Sequence, residues 1–328
     1  MQDMMQVTMP PTSGLTGDSA KGTTAPPRRA ALVVNTRSGG ARRSGVTAQS
    51  MLAMLEKAGV SVVPGDCAAS IERQIEAALA ADAQMVVVAG GDGTIGAVGE
   101  ALQGTGKVLG IVPLGTMNLL AKDLAIPITP EQAVQVLATG TPVAIDIGEV
   151  NGRFFMINSV LGFATRIARQ RERLRGDMKP TTWFRLLWSI GRTQWRDPRV
   201  AAVGRTPTGY VQVRTRSLAV VVNDYQEAFG EVFKREAVGD GRFTLYAFRR
   251  TNIFRLIKLG IQMLLGRWKS AVDFDQYEVA RLVVSSRKAK LRVMNDGELI
   301  LMEPPLRYVI HRRALTVMLP ASSPGASA

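Results

Sequence analysis

The feature that most constrains this chain is an alternation running through its first 140 residues. Short apolar runs, "AALVVN" (30–35), "VSVVP" (60–64), "QMVVVAG" (84–90) and "KVLGIVP" (107–113), are separated by stretches with helical periodicity. The helical patterns fall at 44–58, 70–82 and 94–103, and another opens at 117–124. Strands that are apolar throughout have no face to give to water, so the pattern predicts a parallel sheet covered by helices on both sides. From Thr141 the pattern changes to short alternating strands bounded by turn signals, such as "VAIDIGEVNGRFFMINSVLG", "GRFTLYAF" and "AKLRVMND". That pattern predicts a mostly antiparallel, sandwich-like β domain, interrupted by helical insertions at about 163–192 and 252–267. The expected organisation is a disordered leader over 1–28, an α/β domain over 29–140 and a β-rich domain over 141–320. The last strand of the β-rich part could return to the first domain, and 321–328 form a tail.

Three of the strands in the α/β part run into glycine-rich loops: "NTRSGG" (35–40), "GGDGT" (90–94) and "PLGTMN" (113–118). In an open parallel sheet, ligands bind at the carboxyl ends of the strands, so these loops are expected to converge on one crevice. Glycines let backbone N–H groups approach phosphate oxygens, and a helix N-terminus adds favourable partial charge. Thr94 and Thr116 add hydroxyls. Asp92 is the discordant residue, because a carboxylate among phosphate-binding amides repels the ligand unless a cation such as Mg²⁺ lies between them. A set of plain turns between strands and helices is the alternative, and three loops at equivalent positions argue against it.

Charge narrows the partner. Lys and Arg number 41 against 27 Asp and Glu, a net charge of +14, which suits a phosphorylated substrate, an anionic membrane or nucleic acid. The stretch 166–199 holds ten Lys/Arg and three Asp/Glu together with Trp183, Phe184, Trp188 and Trp195, the pattern of an interfacial amphipathic helix. "NIFRLIKLGIQMLLGRWK" (252–269) is a second candidate for docking on an anionic membrane surface. No RNA- or DNA-binding signature accompanies the basic charge, so nucleic acid is not expected as a partner. One Cys and one His, Cys67 and His311, exclude an internal disulfide and a zinc site. The N-terminus lacks the basic and apolar regions of a secretory signal, and no apolar run reaches a membrane span. A cytoplasmic protein, peripherally associated with the inner membrane face, is the expectation.

"GGDGT", preceded by the "NTRSGG" loop and followed by "PLGTMNLLA", resembles the diacylglycerol kinase catalytic domain family, which includes bacterial lipid kinases and is related to sphingosine kinases. "IDIGEVNGRFFMINSVLGF" (145–163), "VGDGRFTLY" (238–246) and "NDGE" (295–298) extend the resemblance over about 29–320. It implies an α/β nucleotide-binding domain, a β-sandwich-like domain and an active site between them. It also implies an ATP-dependent lipid kinase acting on a hydroxyl of a membrane lipid such as diacylglycerol, with ATP and Mg²⁺. By position, ATP would be held by Asn35, Thr36, Arg37, Ser38 and Gly39, by Gly90, Gly91, Asp92, Gly93, Thr94, Ile95 and Gly96, and by Gly115, Thr116 and Asn118. Asp296 and Glu298 are the candidate proton acceptors, Glu298 slightly favoured, while "NDG" is equally a hairpin signal. Asp92 would meet the catalytic Mg²⁺; Asp240, with the carbonyls of Ala237 and Arg242, matches a structural Mg²⁺ loop of bacterial members. Two departures stand out: Gly96-Ala97 replace a common Asn-Glu, and "NTRSGG" lacks a proline usual in the first loop. A soluble NAD-kinase-like enzyme shares "GGDGT" and is the alternative; a homodimer is left open.

Overall fold

The computed structural model describes residues 29–36, 45–162, 165, 199–224, 239–248 and 274–321. The two expected helical insertions, at 163–192 and 252–267, lie essentially outside these residues. The chain opens with β1 (Arg29–Val34), α1 (Ala48–Lys57), β2 (Ser61–Val62), α2 (Ile71–Ala80), β3 (Met85–Gly90), α3 (Asp92–Ala101) and β4 (Val108–Pro113). α4 (Leu119–Asp123) and α5 (Pro130–Thr139) follow. Helix starts are marked in the sequence: Thr47 and Ser50 form a capping box on α1, and the Ser70 side chain caps α2. β2 is shorter than the apolar run because Pro64 offers no N–H; Val63 still donates to the Ala30 carbonyl at 2.8 Å. The strands β1, β3 and β4 pair in parallel, all but buried, as their unbroken Val, Ile and Ala content requires.

The remaining strands are β5 (Thr141–Val150), β6 (Arg153–Phe155), β7 (Asn158–Leu161), β8 (Val200–Thr206), β9 (Gly209–Thr215) and β10 (Leu218–Val222). After them come β11 (Phe243–Phe248), β12 (Phe274–Val279), β13 (Arg281–Ser286), β14 (Leu291–Asn295), β15 (Glu298–Met302) and β16 (Leu306–Leu319). Among the described residues they complete two sheets. One has the order β2-β1-β3-β4-β16-β13-β8-β9, with β5 on β16 and β6 on β5. The other is antiparallel, in the order β12-β11-β10-β7-β14-β15. The last strand is 14 residues long: its end lies parallel to β4, and its length pairs with β5 through a bulge between His311 and Leu315. Asp146, fully buried on β5, pins that bulge by accepting from Arg313 N at 2.8 Å and from Gly241 N at 2.6 Å. Phe155, Phe243, Tyr308 and the valines and leucines around them fill a second core between the sheets. The fold is therefore a helix-covered parallel sheet joined to an antiparallel β-sandwich.

Candidate active site

The DGT of "GGDGT" is the first turn of a helix rather than a loop. Gly91 is the N-cap of α3 and Asp92 its first residue, so the first N–H groups of the helix have no partner within it. A carboxylate there is locally favourable toward the helix dipole. Asp92 Oδ1 also accepts from Leu119 N at 2.6 Å, which ties the start of α3 to the start of α4. The third glycine loop meets the second through bare backbone: a Cβ on Gly115 would stand 2.8 Å from Gly91 Cα and 2.6 Å from Asn118 Oδ1. Asn118 adopts the left-handed conformation (φ 49°) and accepts from Gly115 N at 2.8 Å, shaping this turn from within. Asn35 reaches across from the first loop and donates to Thr94 Oγ1 at 2.9 Å. Its position is fixed from below by Gln74, buried on α2, whose amide closes two hydrogen bonds with the backbone of Val34.

The facing wall comes from the β-sandwich. Asp296 and Gly297 form the two-residue turn between β14 and β15, with φ values of 48° and 91°, the twist that an Asn-Asp-Gly-Glu sequence supplies. The Asp296 carboxylate accepts from Met156 N at 2.6 Å and from Ile157 N and Asn158 N, both at 2.9 Å. Burial pushes its carboxyl up to about 6; the three N–H groups pull the other way, and the nearby charge of Asp123 adds to the rise. Glu298, two residues on, is exposed, and its carboxylate meets no donor among the described residues.

Between the walls lies a cleft of about 900 Å³. Asn35, Gly91, Asp92, Gly93, Thr94, Gly96, Gly115 and Thr116 line one side, and Asp296 and Glu298 the other. Gly93 and Gly96 have open space where a side chain would project, so no packing among the described residues requires glycine there. Other expected residues lie elsewhere. Ile95 is fully buried with its N–H bonded to Gly91 O at 3.0 Å, so it packs α3 onto the sheet. Gly90 ends β3, where a Cβ would press on Thr94; Thr36 is exposed and is not among the lining residues. Arg37, Ser38, Gly39 and Ala237 fall outside the described residues. Asp240 is exposed on a turn whose anchor is Asp146, and the Arg242 carbonyl accepts from Asn223 N at 3.0 Å. Among the described residues no three potential metal-ligating side chains cluster. His311 pairs with Glu149 at 2.7 Å and does not line the cleft.

Three residues escaped sequence reasoning. Arg153 lines the cleft from the β5–β6 hairpin, exposed and without a charged partner among the described residues. Glu100 lies one turn along α3 from the Gly96-Ala97 pair and brings a carboxylate to the same side. Gln74 was detectable, as a polar residue on the apolar face of "SIERQIEAALAAD". The described lining thus holds four carboxylates, Asp92, Glu100, Asp296 and Glu298, against one guanidinium. A polyphosphate entering such a cleft requires cationic help beyond Arg153.

Residues 29–150 match the family described as the diacylglycerol kinase catalytic domain. A Pseudomonas aeruginosa protein named "Probable lipid kinase YegS-like" is 33% identical over 256 residues, covering 77% of this chain and 82% of its own length. A protein of the same name from Serratia proteamaculans is 33% identical over 167 residues, 48% of this chain and 53% of its own. A crystal structure of a diacylglycerol kinase from Bacillus anthracis superposes with a TM-score of 0.63 at 17% identity, covering 89% of this chain and 97% of that one. That likeness shows the shared fold.

Proposed function

Because this chain belongs to the diacylglycerol-kinase-like family of lipid kinases, we propose that it transfers the γ-phosphoryl group of ATP to a hydroxyl of a membrane lipid such as diacylglycerol. The observation that carries the reading is the pairing of walls across one cleft: glycine backbone and a helix N-terminus face the Asp296–Glu298 hairpin. ATP phosphates lie on the free N–H groups at the start of α3, where Gly93 and Gly96 leave room for close approach. Asn35 and Thr94 fix the edge of that cradle, and Arg153 meets the phosphoryl group as it crosses. Asp92 suits Mg²⁺, since one oxygen holds Leu119 N and the other faces no protein donor among the described residues. Bound there, Mg²⁺ would neutralise phosphate charge against the four carboxylates. Asp240, exposed on the turn that Asp146 anchors, stays the candidate for a structural cation.

Glu298 takes the proton from the lipid hydroxyl. Its oxygens have no donor among the described residues, whereas three backbone N–H groups occupy the two oxygens of Asp296. Asp296 fixes the turn from which Glu298 projects. The protein acts at the cytoplasmic membrane face; no helix among the described residues is long and apolar enough to cross it.

The test is γ-labelled ATP incubated with total lipid extract, followed by identification of the labelled species. Asp92→Asn is the informative variant, because its Oδ1 still accepts from Leu119 N while the charge is gone. Turnover falls at least a hundredfold and the Mg²⁺ dependence of ATP binding weakens, with thermal stability retained. Labelling of no lipid, or thermal protection by NAD where ATP gives none, would sink the proposal.

A further inference from the structure

Among the described residues β15 is the edge strand of its sheet, and its sequence from Glu298 is Glu-Leu-Ile-Leu-Met. Edge strands in water are ordinarily blunted by charge, proline or a covering element. Here Leu299 is 42% and Leu301 58% exposed, two of the five large hydrophobic residues exposed among the described residues. They are not leftover core. In the hairpin register Ile300 and Met302 pair with the buried Val293 and Leu291 on the inner face, whereas Leu299 and Leu301 pair with Met294 and Arg292 on the outer.

The cations have a matching position. The turn between β13 and β14 carries Arg287, Lys288 and Lys290, all exposed, and Arg292 follows on the outer face. The carboxylate at this end is Glu303, which pairs with Lys290 at 3.6 Å. At the other end the hairpin turn delivers Glu298 into the cleft, and Leu299 and Leu301 line that same cleft, so the exposed leucines are continuous with it. Five residues of strand span about 17 Å, so cleft, leucines and cations form one continuous track.

We propose that this outer face of the β14–β15 hairpin seats the protein on an anionic bilayer, the leucines entering the acyl region and the cations meeting lipid phosphates. The proposal rests on the lipid-kinase reading for why such a seat is needed, and on the surface itself for its chemistry. A second copy of the chain suits the surface poorly. A two-fold contact brings the same basic patch to both sides of one interface, so Arg287, Lys288, Lys290 and Arg292 are counted twice there, with Glu298 and Glu303 the hairpin's only exposed carboxylates to offset them. An anionic bilayer complements both halves of the track, each cation near it adding about fivefold in affinity.

The experiment is sedimentation with phosphatidylcholine vesicles, with and without phosphatidylglycerol. Arg287→Ala/Lys288→Ala is expected to lower partitioning onto the anionic vesicles roughly twentyfold. Leu301→Glu lowers partitioning onto both kinds. A polarity-sensitive dye on Leu301→Cys, in a Cys67→Ser background, shifts to the blue on anionic vesicles. The same dye on Thr208→Cys, in the exposed β8–β9 turn, does not. Unchanged partitioning of both variants, or a dye at 301 that ignores vesicles, overturns the proposal. So does a loss of dimer mass in Leu301→Glu without loss of vesicle binding, which would make a second copy the occupant. If partitioning changes as expected but no lipid accepts phosphate, the seat stands and the acceptor reading fails. If lipid is phosphorylated while the variants still bind vesicles like the parent, the seat alone fails.

Discussion

Two glycines of the same cleft should respond in opposite directions to one added methyl group. In Gly115→Ala the new Cβ would lie 2.8 Å from Gly91 Cα and 2.6 Å from Asn118 Oδ1. Carbon atoms pack at about 3.5–4.0 Å, so the two loops must part by roughly 1 Å. Backbone cannot rotate away as a flexible side chain can, and overpacking of this kind costs about 1–3 kcal/mol. In a chain of this size that lowers Tm on the order of 5 °C. The same displacement moves the start of α3, and a misplacement of about 1 Å can cost on the order of a hundredfold in rate. Gly93→Ala contrasts with this at every step. Its Cβ meets no described residue within 4 Å, and it lies in the first turn of α3, where alanine favours the helix by about 0.5–1 kcal/mol. Tm therefore holds or rises by a degree or two, while the methyl group obstructs a phosphate and raises KM for ATP at least tenfold. Differential scanning fluorimetry and initial-rate kinetics read both variants. A Gly115→Ala protein melting like the parent would refute the loop-contact argument, and Gly93→Ala with unchanged ATP affinity would refute the phosphate cradle.

The two hairpin carboxylates should separate by assay. Glu298→Gln lowers kcat about 10²–10⁴-fold with Tm unchanged, while Asp296→Asn turns an amide N–H₂ toward the N–H of Met156 and costs about 1–3 kcal/mol by denaturant titration. Folded Asp296 titrates at about 6 against 3.8 for the free side chain, so its contribution to stability is fully present below about pH 4 and is lost as pH rises through 6. Asp296→Asn should flatten that part of the stability profile, and an identical slope in parent and variant would contradict the assignment. Arg153→Ala should lower kcat at least tenfold with KM for ATP within about twofold and Tm unchanged, since the side chain is exposed; an effect confined to KM would make Arg153 a ground-state binder instead.

What the sequence determined by itself follows from periodicities that act over a few residues. Unbroken valine and isoleucine runs require burial on both faces, so β1, β3 and β4 and their parallel pairing were legible, as was the Asn-Asp-Gly-Glu hairpin from its turn chemistry. The glycine motifs marked the end of the sheet at which the cleft opens for the same local reason. Helix α3 was placed two residues late, because a Gly-Asp-Gly sequence reads as a loop until Gly91 is seen to cap it. Strands β8, β9 and β12 were missed, since their polar or brief apolar content depends on neighbours for its meaning. Tertiary structure alone decided the rest. It bonded Asp92 to Leu119, gave Asp296 three backbone donors from the β6–β7 turn some 140 residues away, and brought Arg153 to the cleft. Such relations join positions far apart in the chain, and a carboxylate's partners and exposure are set by what folds against it. Local sequence therefore named the carboxylates Asp92, Asp296 and Glu298, and only the packing of the glycine loops opposite the β14–β15 hairpin gave each its partners and exposure.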